Sequence, residues 1–201
     1  MTTPRSAALA GVGFALLFAA VVYLVRTAPP DSGDARMRVA GVLMPFAGIA
    51  FLWFIGVVRD GFGGYEDRFF STVFLGSGLL FLALMFAASA VGIAAGHTGG
   101  EVSEFGHTLV TTLSKTYALR MAAVFMISLA TIWLRTRLMP RWLALATYAV
   151  ALGVLLASDL SMWLVLTFPG WVLVVSVLLL TRTGLSAAAA PDLSTAPAVR
   201  R

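Results

Sequence analysis

Between residue 7 and residue 180 the chain is a series of apolar runs, separated by short stretches that hold nearly all of its charge. A helix needs about 20 apolar residues to cross the hydrocarbon of a bilayer. Four runs, residues 7–25, 39–58, 69–95 and about 116–134, match that length or exceed it. The last stretch, from Trp142 to Leu180, is apolar except for Asp159 near its middle. It is twice as long as one span, so it must double back into two helices, residues 142–157 and 162–180, with a turn around Asp159. Backbone groups in hydrocarbon must be satisfied within the segment or by a closed sheet, and runs this long suit helices. Barrel strands would alternate polar and apolar residues over about 10 positions. The expected fold is therefore an all-α membrane protein, with six transmembrane helices in a compact antiparallel bundle. Residues 1–180 form one domain and 181–201 a disordered tail.

Composition supports this reading. Apolar residues make up 60% of the chain and charged residues 11%, against about 45–50% and 25% in an ordinary soluble domain. Such an excess could not be covered in water, and six spans leave only short loops, with no room for a soluble catalytic domain. The first run follows Arg5 and looks like a secretion signal. It is longer than a typical signal core, however, and Arg26 follows it without a small-residue cleavage site, so it is read as the first span.

Six spans place both termini on one side of the membrane. That side carries nine of the fourteen basic residues: Arg5, Arg59, Arg68, Arg135, Arg137, Arg141, Arg182, Arg200 and Arg201. The other side has four, Arg26, Arg36, Arg38 and Lys115, and Arg120 lies within a span. The excess of basic residues predicts cytoplasmic termini and a multi-pass protein of the cell membrane. Trp133, Trp142 and Trp163 fall near span ends, as interfacial aromatics do, whereas Trp53 and Trp171 are expected between helices. Small residues recur every four positions at Ala7, Gly11, Ala15 and Ala19, at Ala88, Gly92 and Gly96, and at Ala149, Gly153 and Ala157. Such stripes let membrane helices approach closely.

Several chemistries are excluded. With no cysteine there is no disulfide, thiolate nucleophile, iron–sulfur cluster or Cys-ligated zinc. Both histidines share one segment, so no Ser-His-Asp set can be assembled, and a bis-His haem, which usually takes its ligands from facing helices, is a weak reading. The glycines of RDGFGGYEDR at 59–68 are not a phosphate loop, since no strand precedes them and no Lys-Ser/Thr follows. The basic residues punctuate apolar runs rather than cluster, so nucleic acid is not an expected partner. The expected partners are the lipid bilayer and another membrane protein or a second copy of the chain. No cofactor is expected.

Four positions stand out as binding candidates. Arg120 is a charge inside a span, and such a charge is costly unless paired or hydrated. Asp159 is its natural partner across the bundle, and snorkelling of Arg120 to the headgroups is the plainer alternative. Pro45 and the Pro169-Gly170 pair interrupt helices, and broken helices mark binding sites in transporters. A weaker candidate is a metal set in the polar segment 96–115, where His97, Glu101, Glu104 and His107 are spaced by four, three and three. Gly99 and Gly100 separate the first of these from the rest, so a solvated polar loop is expected instead.

The stretches RVAGVLMPFAGIAFLWFIGVVRD (38–60), EDRFFSTVFLGSGLLFLA (66–83), LMPRWLALATYAVALGVLL and FPGWVLVVSVLLL resemble a family of small polytopic membrane proteins common in actinobacteria, related to a domain of unknown function. Pro140-Arg141-Trp142 and Trp171-Val172 are the recurring elements. The resemblance implies six membrane helices and carries over no activity and no site residue. The expected function is a non-enzymatic accessory subunit that binds lipid or a membrane partner. A small-solute or ion transporter using Pro45, Pro169, Arg120 and Asp159 is the alternative, and a membrane enzyme with an outer-loop metal is a second.

Overall fold

The computed structural model describes residues 3–27, 35–60, 68–98, 100–137, 139–157 and 162–188. Among them all regular structure is helical. The helices are α1 (Thr3–Thr27), α2 (Ala35–Asp60), α3 (Arg68–Ala95), α4 (Gly100–Thr111), α5 (Leu119–Thr136), α6 (Arg141–Ala157) and α7 (Thr167–Ala188). A π-helical segment, Thr112–Ala118, joins α4 to α5, and a 3-10 turn, Met162–Leu166, leads into α7. Five continuous helical stretches are long and apolar enough to cross a bilayer, and α6 is a shorter apolar helix. The chain is a multi-pass membrane protein.

The apolar runs set these elements, and local chemistry sets their ends. α5 stops at Arg137, which takes up a left-handed conformation at φ 55°. Pro140 then opens α6, its carbonyl accepting from the amides of Leu143 at 3.0 Å and Ala144 at 3.4 Å. α3 winds down through tighter bonds, with the amides of His97 and Thr98 donating to the carbonyls of Ala94 and Ala95. Gly100 then turns the chain at φ +64°, a conformation that favours glycine.

The polar segment is the main departure from expectation. It is helical from Gly100 onward and continues into the next span, so that Gly100–Thr136 is one helical stretch of 37 residues. Gly100 opens α4, and the turn before it separates His97 from Glu101, Glu104 and His107, as the glycines led one to expect. Hydroxyls make the polar run compatible with a helix. Thr108, Thr111 and Thr112 each donate to the carbonyl four residues back, at 3.1, 2.9 and 2.9 Å. At the other end, α7 continues to Ala188, past the expected start of the tail at 181. The rest of the tail, the loop residues 61–67 and the turn residues 158–161 lie outside the described residues.

α1 packs against α2 and α7, α3 against α2, α4 and α5, and α5 against α6. Phenylalanine fills the space between them. Phe14 and Phe18 of α1, Phe51 and Phe54 of α2, Phe74 and Phe81 of α3, Phe125 of α5 and Phe168 of α7 are all fully or almost fully buried. Phe51 sits 4.6 Å from Phe14, 5.3 Å from Phe125 and 5.5 Å from Phe168, measured between ring centroids. Edge-to-face and offset aromatic pairs contribute roughly 0.5–1.5 kcal/mol each beyond area burial. This matters more here than in water, because apolar burial alone gains little against lipid.

The tryptophans sort differently from expectation. Trp171 is buried as expected, but Trp53 is 69% exposed and faces outward. Trp133 is buried and lies 6.2 Å from Trp171. Trp142 is exposed near a helix end, as expected, and the side chain of Trp163 lies outside the described residues. The small-residue stripes divide as well. Gly11, Ala15 and Ala88 are buried, whereas Ala19, Ala149 and Gly153 face outward.

Two hydrogen bonds join helices through side chains. The Trp171 indole N–H donates to Thr147 Oγ1 at 3.1 Å, linking α7 to α6. Thr131 Oγ1 and the Tyr148 hydroxyl lie 2.6 Å apart, linking α5 to α6. Across a membrane interface such a bond is worth about 0.6 kcal/mol on average and up to about 1.7. A double-mutant cycle of Thr147→Val and Trp171→Phe, read by unfolding in detergent, is expected to give a coupling of about 1 kcal/mol. Additive effects would show that the bond contributes nothing.

Candidate functional site

Arg120 stands on the second residue of α5, directly after the π-helical segment, and is half-buried. Its Nη1 donates to the Thr116 carbonyl at 2.8 Å. In the wider turn before it, the Leu119 amide reaches back to the Ser114 carbonyl, five residues away. Inserted π turns are rare and often accompany function. The wider turn shifts Arg120 and the rest of α5 around the helix axis relative to an unbroken α-helix. Lys115 is also half-buried, and Tyr117 between them is exposed.

Helix geometry places these cations along the bundle. The Arg135 guanidinium lies 4.5 Å over the Phe70 ring, so the end of α5 and the start of α3 share one level. Arg120 is then about 22 Å from that level, at 1.5 Å per residue. Lys115 is about 30 Å from it, which matches the thickness of the hydrocarbon core. α3 continues further, to about 40 Å, and α4 packs against its end, with Gly106 close to Ala95. α6 has 17 residues and rises only about 25 Å from the same end. The π segment touches the Met162–Leu166 turn.

Among the described residues, the other candidate positions do not gather at Arg120. Asp159 lies outside the described residues. Pro45 lies within an unbroken α2 and is exposed. Pro169 is buried in the first turn of α7, where a missing amide costs nothing because first-turn amides have no intrahelical partner. The interruption near Pro169 is thus the change from 3-10 to α-helix at the start of α7. His97, Glu101, Glu104 and His107 are all exposed, the last three on α4. Among the described residues no three His, Asp or Glu side chains gather where they could hold a metal ion. Comparison with family models, curated proteins and solved structures finds no match to this chain.

Sequence reasoning missed the π segment and the polar pairs Thr131–Tyr148 and Thr147–Trp171. The pairs had a readable signal, since each is a polar group inside an otherwise apolar run. The π segment had a weaker one, four hydroxyl residues and a lysine between Thr111 and Thr116 in a stretch that leads straight into a span.

Proposed function

We propose that this chain is a non-enzymatic accessory protein of the cell membrane that binds lipid or a membrane partner. In this reading six helices span the bilayer as an antiparallel bundle, both termini are cytoplasmic, and the α3–α4 end faces outward. Membership of the six-helix actinobacterial family belongs to the same proposal. The observation that carries it is the core. Fully buried phenylalanines from α1, α2, α3, α5 and α7 meet at mid-bundle, where a transporter would place a polar, hydrated site. The described cationic side chains sit toward the rims instead, where lipid headgroups and neighbouring proteins are found.

Purification of the full chain in mild detergent, followed by mass spectrometry of co-purifying proteins and lipids, tests this. The expected result is retention of one lipid class or one membrane protein at near-stoichiometric amount. Solute flux through reconstituted protein, with nothing retained, would replace this reading with a transport one.

A further inference from the structure

We infer that the π-helical segment Thr112–Ala118 is a rotary joint between α4 and α5. It holds one residue more than an α-helix needs there, and this sets which face of α4 meets α3. Closing the wide turn to an α turn rotates α4 by about 100°.

The phase of the two flanking helices points to this. Both pack on the same neighbour, α3. On one side of the joint, a Cβ at Gly106 would stand 2.5 Å from Ala95 Cβ, and one at Gly92 would stand 3.6 Å from Val110. On the other side, Phe125 stacks on Phe74 at 4.4 Å and closes over Gly78. Phe125 lies nineteen residues after Gly106. At about 100° per residue, an unbroken α-helix makes five turns and about 100° more over that distance. It could not point both residues at α3. A π turn absorbs one residue, and the other eighteen make about five whole turns. With the joint closed and α5 in place, His107 meets Ala95 instead of Gly106, and Thr111 replaces Val110 beside Gly92.

The way α4 is held makes this second register reachable. Its main packing partners are α3 and the π segment itself. Gly106 is the buried residue that α4 contributes, while Val102 and Phe105 are exposed. Elements with so few buried apolar contacts shift at low cost. α5 is buried along most of its length, so the rotation falls on α4. The hydroxyls of Thr111 and Ser114 donate to the carbonyls of His107 and Val110 at 2.9 and 2.7 Å. These bonds reach one turn back and survive in either register.

The chain has no cysteine, so introduced pairs report the register by disulfide cross-linking of the full chain in membranes. Gly92→Cys with Val110→Cys is expected to cross-link readily. Gly92→Cys with Thr111→Cys should cross-link at least about tenfold more slowly, as for a minor state of up to about 10%. Deletion of Thr112 removes the extra residue and leaves a plain α-helix with Gly106 and Phe125 still in phase. This variant should fold, keep the 92–110 cross-link and lose the 92–111 one, having no second register. Deletion of Ile127, beyond Phe125 in α5, puts the rest of that helix out of phase and should leave little folded protein. A 92–111 cross-link that is absent from the wild-type background, or that persists after deletion of Thr112, overturns the joint. So does a Thr112 deletion that fails to fold, or an Ile127 deletion that is equally well tolerated.

Discussion

Phe168→Ala is expected to lower the unfolding free energy by about 3–5 kcal/mol, the range for deleting a buried aromatic. Phe168 is fully buried and sits where four other helices meet. Its ring lies 4.7 Å from Phe81, 5.5 Å from Phe51, 5.7 Å from Phe125 and 6.0 Å from Phe14. It also stacks on Trp171 at 6.1 Å. Transfer to lipid recovers part of the cost of losing a ring, but the cavity penalty remains, because the surrounding rings cannot all collapse into one space. Phe168→Leu keeps most of the volume and should cost much less, on the order of 1 kcal/mol. Leu156→Ala is the comparison on the outside of the bundle. Leu156 is 76% exposed, and lipid can fill the space it leaves, so its loss should be close to neutral. Equilibrium unfolding of the full chain in mixed micelles measures all three. A loss at Phe168 no larger than that at Leu156 would show that the aromatic cluster does not hold the helices together.

The spans were legible because their signal is one of length. α3 begins one residue before the expected run at 69–95 and ends with it. α6 ends at Ala157 as expected for one arm of a doubled-back pair. Which face of each helix turns inward was much less legible. Trp53 and Trp171 look alike in sequence, each in the middle of an apolar run, yet one faces outward and the other packs inside. In a soluble helix the polar face would mark the difference, but a helix apolar all round carries no such mark. The segment 100–115 failed for the opposite reason. It is polar by composition, and composition reads as loop, whereas its threonines donate to carbonyls one turn back and so fit a helix. The candidate site was half legible. Arg120 announces itself as a charge within a span, but the π turn just before it follows from backbone bonding that residue types alone do not reveal.

Gly11→Leu is expected to be the most damaging single change in the bundle, with little folded protein recovered. A Cβ at Gly11 would stand 2.0 Å from Ser176 Oγ and 2.8 Å from the Phe54 ring. α1, α2 and α7 therefore converge on a position where only hydrogen fits. Phe54 and Ser176 are both fully buried. Phe54 cannot swing away, since its ring is packed against Phe51 at 6.2 Å. A leucine would have to push α1 off both neighbours at once, losing much of the interface that anchors it. Alanine separates the two obstacles. Ser176 Oγ has no hydrogen-bond partner among the described residues, unlike Ser77 and Ser128, which donate to carbonyls four residues back at 2.7 and 2.8 Å. Its hydroxyl can rotate away without breaking a bond, so Gly11→Ala should cost on the order of 1–3 kcal/mol, as for overpacking elsewhere. Gly11→Ala combined with Ser176→Gly moves the missing carbon to the other side of the contact and should recover part of that loss. Gly13, two residues on, has open space where its Cβ would be. There alanine should be neutral or stabilising by up to about 1 kcal/mol through helix propensity. Folded yield and unfolding of these variants in detergent measure the contrast. Equal tolerance of leucine at Gly11 and Gly13 would mean that α1 does not make the close approach to α7 and α2 on which the bundle depends.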